Sequence, residues 1–477
     1  MMATSKFMIA TTTSTATTEQ SEESSSHSTP IHHSLTSGEA SPSSPISNKE
    51  STILEDMTEL IAVAASKQVK KFEELTRLPR KPKHMQPLTL SFQHDIQVEQ
   101  VLGVGGFATV SLARIPRLDQ HIQKIQQEKT STRSHRKRIQ PTINSGSNSS
   151  DEQQQQQYSK YAVKCLSPKT IQGDKKRLIR SAQDLCVEAA LLSKLNHENI
   201  IPMYGVVDGS YDDESTFRKV GSYFFVMPKM PHTLDVLLSS WEQQQQKQQQ
   251  QQQSNSCLVQ KIPTLDERLS QIGLGIANGM KYLHQQRVIY RDLKPANIGI
   301  SDSGIVKLFD FGIARELPVW EHSITECIGS LRYMSPETLT ERKADFSSDV
   351  YSFSILLWQV VTCQSTPYGN MNNMVKLVDF RDAVGYNNVR PGSVLSDESA
   401  LKDHTSIAKL IENCWDGNPT KRPTFRQIVK VLEKNEQQQR SSISSNRANT
   451  ATDTGTSGGR FWNRFRQQQR QHVVCST

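Results

Sequence analysis

No stretch of this 477-residue chain strings together the ~18 apolar residues that a membrane-spanning helix needs, so no transmembrane segment is expected. The N-terminal run MMATSKFMIATTTSTATTEQSEE lacks the charged start and long apolar core of a secretory signal. Cysteine is sparse. The seven present are an odd number and none stands in a C-x-x-C pair, which argues against a disulfide framework or a zinc site. A reducing compartment fits, cytoplasmic or nuclear. Apolar residues make up 35% of the chain, against roughly 45–50% in globular domains. The deficit is local. Residues 1–52 are rich in Ser and Thr, and glutamine tracts fall at 153–157, 243–253 and near 466–471. Such segments bury too little apolar surface to offset ordering entropy and are expected to be disordered. What remains is apolar enough for a sizeable core.

The formal net charge is +8. Much of the excess sits in low-complexity stretches, Arg133–Arg138 and Arg460–Arg470, and reads as solvated tail. A nucleic-acid surface would need basic and aromatic residues interleaved inside a folded domain. That mixture occurs in the tail, at Arg460–Arg466, so nucleic acid is not the expected partner.

The informative stretch is residues 288–316, VIYRDLKPANIGISDSGIVKLFDFGIARE. Two short apolar runs, Ile298–Ile300 and Ile305–Phe309, flank Ser-Asp-Ser-Gly and read as a hairpin. The hairpin brings Asn297, just before it, close to Asp310, just after it. An amide oxygen and a carboxylate facing one point make a hard-oxygen site suited to Mg²⁺. Asp292 would stand beside it, able to accept a proton from an incoming hydroxyl. That layout suits phosphoryl transfer from a nucleotide, where catalysis is mostly positioning and charge neutralisation.

Tyr290-Arg291-Asp292-Leu293-Lys294-Pro295-Ala296-Asn297 followed by Asp310-Phe311-Gly312 resembles the paired signature of eukaryotic protein kinases. The resemblance implies an α+β, bilobal fold with a small β-rich N-lobe and a larger, mainly helical C-lobe. It implies ATP and Mg²⁺, with Asn297 and Asp310 on the metal and Asp292, Lys294, Asn297 and Lys164 as catalytic residues. Leu102, Gly103, Val104, Gly105, Gly106 and Val110 would form the glycine-rich roof over the nucleotide, where glycines let backbone amides approach phosphate oxygens. The third glycine of the pattern is Ala108 here. Tyr161-Ala162-Val163-Lys164 resembles the strand whose lysine holds the α- and β-phosphates. Glu188 would pair with that lysine, with Asp184 as the runner-up acid. Met227 would guard the pocket behind the nucleotide, and the backbone near Lys229 and Met230 would bond the adenine.

In chain order, Thr52–Glu55 resembles a capping box, and apolar spacing predicts an amphipathic helix over about 53–77. It is either a flanking helix docked on the body or a regulatory helix. The kinase domain is expected over 92–436, with structureless insertions at about 116–158 and 241–262, helices over 182–195 and 265–286, and a basic Gln-rich tail over 437–477. Glu337 would pair with Arg422, and Asp349 would brace the catalytic loop. Tyr290 replaces the family's histidine; it is expected to stack on Phe311 but to lose the histidine's hydrogen bond to backbone.

Lys294 and Gly329-Ser330 resemble serine/threonine rather than tyrosine kinases, and the lower lobe resembles the tyrosine-kinase-like group. Protein substrates are implied. Arg291 implies a negative partner in the activation segment: Thr325 or Ser323 phosphorylated by an upstream kinase, or Glu326 in place of a phosphate. The rival reading is a pseudokinase or scaffold that binds partners through its Gln-rich insertions.

Overall fold

The strands of the N-terminal half alternate their side chains between two apolar clusters, as the period-two geometry of a strand requires. In the computed structural model, β1 (Leu88–Leu90), β2 (Gln97–Val104), β3 (Ala108–Arg114), β4 (Lys160–Leu166), β5 (Gly205–Val207) and β6 (Phe224–Pro228) form one sheet, ordered β1-β5-β6-β4-β3-β2. The structure describes residues 63–82, 85–105, 108–124, 160–167, 174–207, 224–250, 262–369, 376–392 and 404–447. Ala113, Tyr161, Val163, Phe224 and Val226 point into a small cluster with Leu90, Ile115 and Leu118. Ala162, Leu166, Phe225 and Met227 point the other way, into the main core.

Residues 63–75 are helical (α1). Residues 53–62 of the expected helix lie outside the described residues, as do 1–52. Helix α2 spans Lys175–Lys194, where 182–195 was expected. Its first turns are cationic, without the apolar spacing that marks a buried face, and Asp174 caps it by accepting from the Arg177 N–H. The insertion expected to be structureless over 116–158 also begins as helix, over 116–124. Pro116 suits a first helical position, Leu118 is buried, and the Tyr161 hydroxyl donates to Asp119 at 2.6 Å. Likewise helix α3, Leu234–Gln250, runs on into the glutamine tract, because Leu234, Leu237, Leu238 and Trp241 anchor its start in the core. The rest of both insertions, 125–159 and 251–261, and of the C-terminal tail, 448–477, lies outside the described residues.

The larger lobe is helical. A chain segment runs from Leu265–Glu267 through a π-helical turn at Arg268–Gly273 into α4, Leu274–Gln285. A Thr264–Glu267 capping box starts it. Helix α5 spans Pro336–Glu341, α6 Phe346–Thr362, α7 Thr405–Cys414 and α8 Phe425–Arg447. From Ser348 to Val361 every residue of α6 is buried, which makes it the axis of this lobe. Two small antiparallel sheets accompany these helices: β7 (His232–Thr233), β9 (Ile298–Ile300) and β10 (Val306–Leu308), ordered β10-β9-β7, and β8 (Val288–Ile289) with β11 (Arg315–Glu316). The architecture is α+β and bilobal. The Leu308 carbonyl accepts from Ile201 N and its N–H donates to the Asn199 carbonyl, so the link after α2 is laced to β10.

Candidate active site

The catalytic loop is held from beneath by one buried carboxylate. Asp349, on the first turn of α6, accepts from Tyr290 N at 2.9 Å and Arg291 N at 2.8 Å, and lies 2.8 Å from His284 Nε2. This braces a backbone that bends sharply at Arg291, φ +69°; Asp310, at φ +64°, takes the same left-handed conformation, which costs side-chain-bearing residues energy.

Four polar side chains converge above that brace. Lys294 Nζ donates to Asp292 Oδ2 at 2.7 Å and to Ser330 Oγ at 3.0 Å. Ser330 donates to Asp292 Oδ1 at 2.7 Å. The Asn297 amide donates to Asp292 Oδ2 at 2.8 Å and to the Asp292 carbonyl at 2.9 Å. With its nitrogen so engaged, Asn297 turns its carbonyl oxygen away from Asp292. The β9–β10 register, Leu308 opposite Ile298, carries Asp310 back alongside Asn297, and Phe309 N donates to the Asn297 backbone carbonyl at 3.1 Å. Together, the amide oxygen and the carboxylate are the hard donors that Mg²⁺ takes, so the residues present fit the ion.

A second cluster lies under the sheet. Lys164 Nζ bonds Glu188 Oε1 and Oε2 at 2.9 and 2.7 Å and Asp310 Oδ1 at 2.8 Å. Glu188, on α2, also accepts from Phe311 N at 3.0 Å. Burial works to lower the Lys164 pKa, but the carboxylates of Glu188 and Asp310 outweigh it and hold the ammonium above its ordinary value. The same ammonium holds the Asp310 carboxyl below its usual range, against burial. Asp184, the runner-up, instead lies 3.9 Å from Arg315.

The sheet register lines up the remaining nucleotide-facing candidates. Val110 pairs with Lys164, and Ala162 with both Leu112 and Met227, so Val110, Lys164, Ala162 and Met227 share one face. Gly105 N closes the β2–β3 hairpin onto the Ala108 carbonyl at 2.8 Å. Leu102 and Val104 on that hairpin are exposed apolar residues. Gly103 pairs with Val110. Gly106 lies outside the described residues. Lys229 and Met230 follow β6 directly, and the Met230 side chain packs over Gly299 so closely that a Cβ there would meet it at 2.5 Å.

The structure overturns one expectation. The Tyr290 ring meets Phe311 edge-on at 5.1 Å, and its hydroxyl donates to the Phe309 carbonyl. The hydrogen bond to backbone is therefore retained. Burial keeps this phenol protonated, far above its ordinary pKa, so it stays a donor. A residue at the site that sequence reading missed is Phe225, whose ring lies 5.8 Å from Lys164 Nζ; away from the site, Arg268 is buried against the Val360 and Val361 carbonyls at the far end of α6. A strand phenylalanine or a helical arginine carries no sequence signal of such a role.

Residues 139–432 match the family described as protein tyrosine and serine/threonine kinase. The chain belongs to this family. The glycine-rich hairpin lies upstream of the matched stretch. Among similar proteins of Arabidopsis thaliana, serine/threonine-protein kinase STY17 is 34% identical over 35% of this chain. Serine/threonine/tyrosine-protein kinase HT1 is 32% identical over 52%, and serine/threonine-protein kinase STY46 is 28% identical over 57%. The aligned stretches cover 27%, 53% and 39% of those relatives' own lengths. Arg291 meets the activation segment through Glu326, Nη1 to Oε2 at 2.5 Å, while Thr325 is exposed on β12 (Ile324–Thr325). Glu337 and Arg422 form a bidentate pair at 2.8 Å on both arms, joined by Ser348 at 2.9 Å. No helix among the described residues is long and apolar enough to cross a membrane.

Proposed function

We propose that this chain is a serine/threonine protein kinase that transfers the γ-phosphoryl group of ATP to protein hydroxyls. The observation that carries the reading is the closed triangle of Asp292, Lys294 and Ser330, with sides of 2.7, 2.7 and 3.0 Å. It puts a carboxylate where a substrate hydroxyl would give up its proton, and an ammonium beside it where the transferred group gathers charge. Lys164 orients the α- and β-phosphates, and Glu188 fixes the direction of Lys164. Asn297 and Asp310 would hold Mg²⁺. When bound, the ion neutralises phosphate charge that the protein's cations leave uncovered. Leu102, Gly103, Val104, Gly105, Gly106, Val110, Ala162 and Met227 enclose the nucleotide, and the backbone at Lys229 and Met230 bonds the adenine. The domain limits we assign are 92–436.

Glu326 supplies the negative charge that Arg291 requires, so activity needs no phosphate at Thr325 or Ser323. An upstream kinase acting on either residue is the competing account, and Thr325→Ala separates the two. The compartment consistent with the cysteine usage is cytoplasmic or nuclear.

The test uses one basic peptide made in three forms, with Ser, Thr or Tyr as its sole acceptor. Transfer to the first two and none to the third supports the specificity proposed. Equal transfer to tyrosine would replace it with dual specificity, which the name of serine/threonine/tyrosine-protein kinase HT1 carries.

A further inference from the structure

Residues 63–82 lie outside the stretch matched to the kinase family, yet they are tied both to the helix that carries Glu188 and to the strand that carries Glu316. Ala65, Val69 and Phe72 form one face of α1 and share a cluster with Leu178, Ala182, Leu185, Cys186 and Ala189 of α2. Three polar bonds flank that seam. Lys194, whose side chain is buried, donates to Glu73 at 2.9 Å. Gln183 donates to the Ala64 carbonyl at 3.1 Å, and Lys81 Nζ donates to the Leu192 carbonyl at 3.0 Å. Beyond α1 the segment crosses to the activation segment. The Thr76 hydroxyl donates to Glu316 Oε2 at 2.6 Å, and Arg77 N donates to Glu316 Oε1 at 2.9 Å. The Arg77 guanidinium lies over the Trp320 ring at 5.7 Å.

Glu316 lies on β11, opposite Val288, and Arg315 lies opposite Ile289, the strand that leads into Tyr290 and Asp292. Leu317 N donates to the Arg287 carbonyl at 2.8 Å, so this part of the activation segment is fixed to the root of the catalytic loop. The segment 63–82 thus spans from the helix that carries Glu188 to the strand that carries Glu316. We propose that it is a positioning strap, in which Glu73, Thr76 and Glu316 act through α2 and β11 to keep Glu188 on Lys164. This rests on the kinase reading above and deepens it. The strap touches neither nucleotide nor acceptor. Its effect is on the population of the arrangement in which Lys164, Glu188 and Asp310 are joined. Charge-assisted bonds are the stronger kind, and Glu316 receives two of them.

The test uses the full chain. Thr76→Val and Glu316→Ala remove the bonds to β11, Thr76→Ser retains the donor, and Lys67→Ala alters an exposed position of α1. Two readouts are taken: kcat/KM for ATP, and amide hydrogen exchange across α2 and β11. The expected result is a fall of about tenfold in kcat/KM for Thr76→Val and Glu316→Ala, the scale of one charged hydrogen bond. Exchange rises in Lys175–Lys194 and Arg315–Glu316 and is unchanged in α6. Thr76→Ser and Lys67→Ala behave as wild type. A purely structural contact would raise exchange throughout, α6 included, and lower the melting temperature in step with activity. Wild-type activity together with unchanged exchange in Thr76→Val and Glu316→Ala would overturn the proposal. If wild type itself transfers no phosphate, the kinase reading fails, and the exchange data alone decide whether the strap holds α2.

Discussion

Replacing Tyr290 by phenylalanine removes one oxygen from a fully buried ring and leaves its edge-on contact with Phe311 in place. The lost contact is the hydroxyl's bond to the Phe309 carbonyl, next to Asp310. A typical buried hydrogen bond contributes about 0.5–1.5 kcal/mol net, and an orphaned buried acceptor costs about 1–3 kcal/mol. The expected destabilisation is therefore about 1–2 kcal/mol, a drop of a few degrees in melting temperature for a domain of this size. Tyr290→Ala also removes the ring. Large aromatic truncations cost about 3–5 kcal/mol, and the edge-on pair adds about 0.5–1.5 kcal/mol. The assay is thermal unfolding followed by intrinsic fluorescence, with ATP-dependent transfer measured on the same preparations. Tyr290→Phe should lose part of its activity because the freed Phe309 carbonyl loosens Asp310. Tyr290→His, which offers a ring N–H, should recover more of it than Tyr290→Ala. A Tyr290→Phe protein with wild-type melting temperature and rate would refute the reasoning, since the hydroxyl would then hold nothing.

Other expectations follow from the same geometry. Arg422→Ala leaves the buried Glu337 carboxylate without its bidentate partner and should cost about 3–5 kcal/mol, read as a large fall in melting temperature. Gly329→Ala places a Cβ 2.8 Å from the Arg291 carbonyl at φ +136°, so it should abolish transfer while α6 stays folded, checked by hydrogen exchange. Thr325→Ala should leave the rate near wild type and Glu326→Gln should lower it severalfold in a peptide assay. The folded-state pKa of Asp310 is depressed by Lys164. Its contribution to stability is therefore complete above the ordinary carboxylate value of about 4 and is lost as pH falls below it. In Lys164→Met the carboxyl is no longer held below its unfolded value, so this acid-side loss of stability should shrink or vanish relative to wild type.

The catalytic loop was legible because its chemistry forces particular residue types into a short window. Asp292, Lys294, Asn297 and Asp310 are contiguous enough for sequence to display them together. Glu188 was legible because it stands nine residues before His197-Glu198-Asn199, which resembles the family's H-x-N. The Glu337–Arg422 distance in sequence is long, but each end carries a motif of the family, Ser335-Pro336-Glu337 and Lys421-Arg422-Pro423-Thr424. Where reading failed, the signal was compositional rather than physical. Glutamines after Trp241 read as a break, yet four apolar anchors had already committed α3 to helix. The polar character of 116–158 hid Leu118 and Asp119, whose partner Tyr161 lies across the insertion. Nothing local marks Thr76 or Glu316, since their meeting depends on how α1 lies on α2. Tyr290 was read as a loss because one residue type was compared with another. Its hydroxyl reaches the backbone from a different ring position.

The most direct test of the central claim is transfer of labelled γ-phosphate from ATP and Mg²⁺ to a basic protein substrate, followed by identification of the labelled amino acids. Wild type would be run beside Asp292→Asn and Lys164→Met. Label on serine and threonine, lost in both variants while each retains its fold, is the result expected. Label that persists in Asp292→Asn, or a folded wild type that transfers none, would contradict the account.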